Sequence, residues 1–135
     1  FAAACKPRGH VVYPPTTLVE IENTHNRAGG VVWFDFRTLC GGPRSQNDYL
    51  EIASRFHTVL LSNVPQMSPR MGSEARRFTW LVDEFYDRRV KLIVSAAAVP
   101  AELYAWAEGG DQFERTISRL IEMQTRDYLS EPHLG

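Results

Sequence analysis

The chain has 135 residues, of which 44% are hydrophobic and 11% aromatic, a size that builds one core and excludes two ordinary domains. Its formal net charge of -1, from 15 basic and 16 acidic residues, lacks the basic surplus typical of nucleic-acid binding, so no nucleic-acid partner is expected. Cys5 and Cys40 lack CxxC spacing, and no stretch reaches the ~20 apolar residues of a membrane-spanning helix, so the sequence predicts a cytoplasmic protein without a transmembrane segment.

The first part of the chain contains the signal for a β-hairpin. Residues 1–15 carry several prolines without a sustained period, which indicates a linker or the truncated remnant of an upstream element. Two runs rich in β-branched and aromatic residues, Thr17–Ile21 and Val31–Phe36, flank Asn23–Gly30, whose asparagines and glycines are typical of a turn. We therefore expect a β-hairpin over residues 16–37.

The middle of the chain predicts a helix followed by a βαβ unit. Apolar residues at helical spacing indicate a helix over residues 45–56. The nearly continuous apolar run Thr58–Val64 and the later run Val90–Ala96 are typical of strands buried on both faces of a parallel sheet. Between them lies an amphipathic helix, for which Ser73 is the expected cap. The prediction is a βαβ crossover over residues 58–97, which is right-handed in nearly all known cases.

The last element is expected to be one amphipathic helix over residues 111–129, with Asp111 as its cap. Its predicted apolar face includes Phe113, Leu120 and Tyr128. Arg119 stands among these apolar positions, so we expect it to be partly buried and paired.

Two short motifs resemble nucleotide-binding signatures but fail on context. Trp80–Glu84 ends in Asp-Glu as a Walker B strand does, yet its apolar spacing is helical, which favours a solvated pair of carboxylates on a helix surface. Gly41–Ser45 is rich in glycine but lacks the Gly-Lys-Ser/Thr ending that cradles phosphates, which favours a structural turn. The four histidines show no ligand spacing, so no protein-bound metal centre is predicted.

Arginine is the one chemical group that is enriched. Its rigid fork suits phosphate or carboxylate recognition, although most arginines serve as surface charge or as partners of helix ends. Arg76 and Arg77 lie near the start of the long predicted helix, where a cation opposes the helix dipole. A role in helix stabilisation therefore explains these two arginines less well than the others.

Six blocks of the sequence follow one another in an order that carries more information than a short motif. They are Trp33–Phe36, Pro43–Leu50, Arg55–Leu61, Ser73–Phe78, Leu81–Tyr86 and Ser118–Gln124. Together these blocks resemble the C-terminal half of the ZapE-type cell-division ATPases and their mitochondrial AFG-type relatives. The resemblance runs from about Thr16 to the end of the chain, which begins with Phe1 rather than Met and is interpreted as a piece of a longer protein.

The resemblance implies an α/β fold, with residues 16–135 forming the C-terminal half of an AAA-like P-loop ATPase domain that uses ATP and Mg²⁺. The Walker A and Walker B motifs of such an enzyme would lie upstream, and this piece alone would be inactive. The expected partner is a division-ring protein (FtsZ-like) or another protein client, with self-association into a homo-oligomer and a peripheral location at the division site. The nucleotide-sensing candidates are Arg76, Arg77 and Arg119, followed by Arg44 and Asp48.

Two other interpretations stay open at this point. The piece could serve chiefly as a non-catalytic partner-binding surface, with the hairpin from residue 16 to residue 36 offering a strand edge. It could also be a small regulatory α/β domain without any link to nucleotides.

Overall fold

The computed structural model describes residues 11–13, 27–28, 30–106 and 110–134, and within these ranges the strands form one five-stranded sheet. Its spatial order is β1-β5-β4-β3-β2. The three central strands, β3, β4 and β5, run parallel, whereas β1 and β2 pair antiparallel at the two margins. The strands are β1 Val11–Tyr13, β2 Arg27–Ala28, β3 Val31–Asp35, β4 Thr58–Val64 and β5 Lys91–Ala96.

Helices connect the parallel strands, which confirms the predicted α/β class and is consistent with part of a P-loop NTPase-like domain. The described α-helices are α1 Phe36–Cys40, α2 Gln46–Arg55, α3 Gly72–Asp87, α4 Glu114–Glu122 and α5 Arg126–Ser130. Short 3-10 turns lie at Pro69–Met71, Pro100–Glu102 and Gly110–Phe113. In the part of the chain that the structure describes, no helix has the length and apolarity needed to span a bilayer.

The core lies between α3 and the central strands. Phe78, Val82 and Phe85 lie on one face of α3 and are fully buried, as the helical spacing predicts. Val59 and Leu61 on β4 are also buried, and Leu60 on the opposite face of the same strand is nearly so, which is the pattern of a strand covered on both faces. Burying one such side chain contributes about 1.5–3 kcal/mol of hydrophobic free energy.

The amino-terminal strands differ from the sequence prediction. Val11–Tyr13 fall within the segment 1–15 expected to be a linker, but they form β1 against β5. The first predicted hairpin strand, Thr17–Ile21, lies outside the described residues. Arg27–Ala28, placed in the turn by prediction, pair instead with the start of β3. A two-residue strand leaves too little alternation to detect in the sequence.

The turn between β2 and β3 depends on a glycine without a side chain. Gly30 has φ +88°, and a Cβ built there would lie 2.7 Å from the ring of His57. Its carbonyl also accepts hydrogen bonds from the backbone N–H groups of His57 and Thr58, at 3.0 and 3.3 Å. The positive φ therefore favours glycine at this position, and a side chain there would also displace the ring of His57.

The predicted end of the strand Val31–Phe36 was wrong by one residue. Phe36, assigned to the strand, is the first residue of α1, because the Asp35 side chain accepts a hydrogen bond from the Arg37 N–H and caps a short helix there. Phe36 then turns into the core and packs against Phe78, with the ring centroids 6.1 Å apart.

Two predictions about helices were also wrong. Ser73 does not cap α3, since the preceding 3-10 turn leads directly into a helix that begins at Gly72. The single helix expected over residues 111–129 is divided into a 3-10 turn, α4 and α5. The second break occurs because Thr125 caps α5 by accepting from the Tyr128 N–H, which starts a new helix there.

Candidate functional site

The predicted residue Asp48 belongs to the start of α2. Its carboxylate accepts a hydrogen bond of 2.8 Å from the backbone N–H of Ser45, the residue that precedes the helix. An acidic group in the first turn also complements the positive end of the helix dipole. Asp48 therefore fixes the loop that carries Arg44, and its contacts are those of a helix-capping residue.

Three of the predicted arginines come together in one cleft. Arg44, from the loop before α2, lines this cleft together with Arg76 and Arg77 from the second turn of α3. The cleft has a volume of about 430 Å³, and its other lining residues are Pro43, Ser45, Ser73 and Trp80. Within the described lining no acidic side chain faces these guanidinium groups, so the cleft is suited to an anion.

Two of these arginines also hold the end of α1. Arg77 donates a hydrogen bond of 3.0 Å from Nη1 to the carbonyl oxygen of Cys40, and Arg44 donates one of 3.2 Å from Nε to that of Thr38. Carbonyl groups at a helix end have no partner within the helix, so a guanidinium satisfies them and complements the dipole. Arg44 and Arg77 thus fix one wall of the cleft while keeping further N–H donors.

Arg76 is the least committed of the three. It is exposed, and among the described residues its guanidinium has no hydrogen-bond or ion-pair partner. A free planar fork beside Trp80 has all five of its N–H donors available to an incoming oxyanion. Arg76 is therefore the arginine of the cleft whose guanidinium is available to bind a ligand.

Arg119 lies away from the cleft, on α4. It forms an ion pair with Asp83 of α3, with the two side chains 18% and 30% exposed, and its guanidinium lies 4.7 Å from the ring centroid of Tyr86. This partial burial and pairing agree with its position among apolar residues. The solvated arrangement expected for Asp83 was wrong, because α4 packs over it. A sensing role for Arg119 stays a prediction.

A second polar contact, which the sequence analysis missed, joins the ends of β3 and β4. The side-chain amide of Asn63 donates a hydrogen bond of 2.7 Å to the carboxylate of Asp35. Asn63 has φ 61°, an uncommon backbone conformation for a residue other than glycine. The only sequence signal was that both polar residues stand at the ends of apolar strands.

The implied ATP and Mg²⁺ fit these residues unequally. In residues 11–13, 27–28, 30–106 and 110–134, no group of three or more His, Cys, Asp or Glu side chains is arranged to hold a metal ion. The arginine-lined cleft suits phosphate oxygens and opposes a bare cation. Residues of this part of the chain therefore fit the phosphate portion of a nucleotide.

Cys40 is not a reactive group despite its place beside the cleft. Its side chain is fully buried, and burial raises the pKa of the thiol to about 12, despite the opposing effects of the Tyr49 hydrogen bond and the positive charge of Arg77. Since the thiolate is the nucleophilic form, a thiol with such a pKa is inert at neutral pH. Cys40 therefore acts as a core side chain.

Comparisons with known proteins identify the family. The family model described as AFG1-like ATPase matches residues 16–132. The chain is 52% identical over 100 residues to the cell division protein ZapE of Escherichia coli (strain K12), covering 74% of this chain and 27% of that protein. It is 33% identical over 132 residues to lactation elevated protein 1 homolog B of Danio rerio, covering 74% of this chain and 26% of that protein.

A Schizosaccharomyces pombe protein described as uncharacterised is 32% identical over 133 residues, covering 78% of this chain and 29% of its own length. No solved structure matches the chain significantly. The chain thus spans between about a quarter and a third of the curated relatives that it matches. Because the family model covers most of the sequence, the chain belongs to the AFG1-like ATPase family.

Proposed function

We propose that this chain is the C-terminal part of an ATP-hydrolysing enzyme that couples Mg²⁺-dependent ATP hydrolysis to action on a protein partner. The observation that carries the proposal is the convergence of Arg44, Arg76 and Arg77 in one cleft of a chain from an ATPase family. Phosphoryl transfer needs little covalent chemistry from the protein but much positioning and charge stabilisation. Guanidinium groups on a rigid scaffold are suited to that task.

In this proposal the cleft senses whether the nucleotide carries its terminal phosphate. Arg76 supplies the free fork that binds a phosphate oxygen, while Arg44 and Arg77 position the cleft wall through the carbonyl oxygens of α1. Loss of the terminal phosphate would remove the anion that Arg76 binds and change the preferred arrangement of α3 and α1. The phosphate-cradling loop, its lysine and the magnesium ligands come from outside this sequence, so the 135-residue chain alone is inactive.

The proposed client is a protein of the bacterial division machinery, and an FtsZ-like division-ring protein is the specific candidate. The support is that the relative with 52% identity is named a cell division protein. The enzyme then acts in the cytoplasm, at the periphery of the division site. An exposed Arg76 also suits an enzyme that forms a homo-oligomer, because the side chain is free to reach a nucleotide in a neighbouring subunit.

The test is ATP turnover by the full-length protein in which Arg76 is replaced. We expect Arg76→Ala to lower kcat by roughly a hundredfold, with Arg76→Lys retaining part of the activity, because a lysine keeps the charge but loses the planar fork. Arg115→Ala is the matched control, since Arg115 is an exposed arginine of α4 and does not line the cleft. Unchanged turnover by Arg76→Ala with unchanged melting would refute the sensing role.

The alternative is a non-catalytic partner-binding or regulatory α/β domain. It is favoured by the exposed apolar side chains of Ile121 and Leu129, which are 50% and 39% accessible on α4 and α5. The two functions predict different results for Arg76→Ala and Arg119→Ala. If both variants keep full ATP turnover but no longer retain the protein client in a pull-down, the partner-binding function is correct.

A further inference from the structure

The carboxyl ends of the parallel strands open into a pocket that is separate from the arginine cleft. In open α/β sheets, ligands bind in the crevice outside the carboxyl ends of the strands. Here β3 and β4 end side by side at Asp35 and Val64, and a pocket of about 810 Å³ lies at this edge. Its size is that of a small-molecule site.

The lining of the pocket combines apolar and polar side chains. Phe36, nearly fully buried, contributes to its apolar part together with Pro65 and Met71, whereas Asn63 and Gln66 add side-chain amides. Small-molecule sites commonly combine an apolar surface with a few polar groups that fix orientation. The pocket therefore has the composition of a ligand site as well as the volume.

Three charged groups at the pocket have no partner in the described parts of the chain. They are the guanidinium groups of Arg37 on α1 and Arg70 in the 3-10 turn before α3, and the carboxylate of Glu74 in the first turn of α3. Arg44 and Arg77, by contrast, are tied to backbone carbonyls. These two free guanidinium groups come from different elements and line one pocket, where both can supply charge-assisted N–H donors to an oxyanion.

The strand ends are held in a fixed arrangement beside these charges. The pairing of β4 with β5 shifts register between Leu61 and Val64, and Asn63 lies within this irregularity with φ 61°. Its amide is fixed by the 2.7 Å hydrogen bond to Asp35, which also accepts from the Arg37 N–H. Bulges and uncommon backbone conformations concentrate at functional sites. Asp35 thus links the end of β4 to the first turn of the helix that carries Arg37.

We propose that this pocket binds a small ligand that carries a phosphate or carboxylate group. Arg37 and Arg70 bind the oxyanion, and Glu74 accepts from a hydrogen-bond donor next to the anion. The amides of Asn63 and Gln66 orient the ligand through the amide oxygen and the second N–H that each keeps after donating to Asp35 and to the Glu102 carbonyl oxygen. The proposal does not rest on ATP hydrolysis or on the Arg76 cleft, so either one can fail without the other.

The test is an NMR titration of the full-length protein with two probes, inorganic pyrophosphate and succinate, at constant ionic strength. Saturable shifts centred on the amide signals of Arg37, Asn63 and Arg70 are the expected result. Saturation by pyrophosphate alone identifies phosphate as the bound group, and saturation by succinate alone identifies carboxylate. Saturation by both probes shows that the pocket binds either oxyanion. Arg37→Gln/Arg70→Gln should weaken binding by at least about tenfold, because both charge-assisted contacts are lost.

Neutralising the carboxylate of the pocket gives the sharper control, because the expected effect on binding has the opposite sign. Glu74→Gln removes a negative charge from the same pocket, so it should tighten probe binding by roughly threefold instead of weakening it. Arg55→Gln/Arg115→Gln removes two exposed charges that do not line the pocket and should leave binding unchanged. Circular dichroism melts check that each variant is folded.

Three results would overturn the proposal. The first is the absence of saturable shifts with either probe up to about 10 mM, a range above the affinities expected of a built site. The second is binding that the double glutamine variant does not weaken. The third is a set of shifts centred on Arg76, which would assign the anion to the other cleft.

Discussion

Arg77 of α3 donates a 3.0 Å hydrogen bond from its guanidinium to the carbonyl oxygen of Cys40, the last residue of α1. A five-residue helix is too short to be stable by itself, so its position depends on tertiary contacts of this kind. The same helix carries Phe36 and Arg37, which line the pocket at the carboxyl ends of the strands, and the loop that follows it carries Arg44 of the arginine cleft. The Arg77 contact therefore affects the shape of both.

The first prediction concerns this contact. Arg77→Ala should lower the free energy of unfolding by about 1–2 kcal/mol, because it leaves a partly buried helix-end carbonyl without its charged donor. Arg76→Ala, one residue away and exposed, should cost less than about 0.5 kcal/mol. Urea unfolding of both variants measures the difference. Equal losses would mean that Arg77 does not stabilise α1.

The second prediction concerns the pairing of α4 with α3. A double-mutant cycle with Arg119→Ala and Asp83→Ala should give a coupling energy of about 1 kcal/mol, since both side chains are largely shielded from solvent. The same cycle on Arg55 and Glu51, which are 68% and 60% exposed, should give about 0.3–0.5 kcal/mol, the usual value for an exposed helical pair. A coupling for Arg119 no larger than that of the control would contradict the prediction.

The third prediction concerns Lys91, whose ammonium group joins the start of β5 to the segment after α4. Its Nζ donates to the carbonyl oxygens of Arg89, Tyr128 and Glu131, at 3.0, 3.0 and 2.7 Å. Lys91→Met keeps the apolar stem and removes the three N–H donors of the ammonium group. It should therefore lower the free energy of unfolding by about 2–3 kcal/mol. Hydrogen exchange should show the loss first in α5.

The matched comparison for Lys91 is Tyr128→Phe. The Tyr128 hydroxyl donates to the carbonyl oxygens of Phe85 and Val90, at 3.2 and 2.7 Å, so its removal should also loosen α5. Arg126→Met, at an exposed position of the same helix, should leave exchange in α5 unchanged. Uniform exchange changes across the sheet would show that Lys91 does not act locally.

The fourth prediction is that the Cys40 thiol lowers the free energy of unfolding in alkaline solution. Burial raises the pKa of the folded thiol to about 12, whereas an unfolded thiol has a pKa near ~8.5. Below the lower of these two pKa values the thiol is protonated in both the folded and the unfolded state, so its full contribution to the free energy of unfolding is present. At higher pH the unfolded chain releases the proton first, so the free energy of unfolding falls by up to about 1.4 kcal/mol per pH unit until the folded thiol also ionises.

The measurement compares the parent chain with Cys40→Ala under reducing conditions between pH 8 and pH 10. Groups common to both proteins cancel, so the difference between the two stability curves isolates the thiol. The parent should lose stability more steeply with rising pH. Parallel curves would show that the Cys40 thiol ionises equally readily in the folded and unfolded states.

The parts of the fold that could be predicted from sequence have strong local patterns. The Thr58–Val64 strand consists of an apolar run, and the Phe78, Val82 and Phe85 stripe has helical spacing, so local rules suffice for both. The two-residue β2 and the five-residue α1 lack enough length for a period to appear. The break at Thr125 could not be seen because its cause is a cap that interrupts an otherwise apolar face.

The candidate site could be predicted as a set of residues but not as an arrangement. Arginines at the start of a helix drew attention to Arg76 and Arg77, yet their meeting with Arg44 depends on how α2 packs against α3. The Asn63 to Asp35 contact likewise requires the parallel pairing of β3 with β4, which no local pattern specifies. Contacts between segments distant in sequence decide both sites.

The sheet order also bears on how the chain folds. β1 pairs with β5 so that Val11 lies opposite Ala96, which leaves most of the chain between the two partners. Closing so large a loop lowers the entropy of the chain before the strand pairing adds stabilising contacts. Structures rich in such distant contacts therefore fold slowly. β1 should therefore be the last strand to dock during refolding, and the margin of β5 stays open for association with other chains until it does.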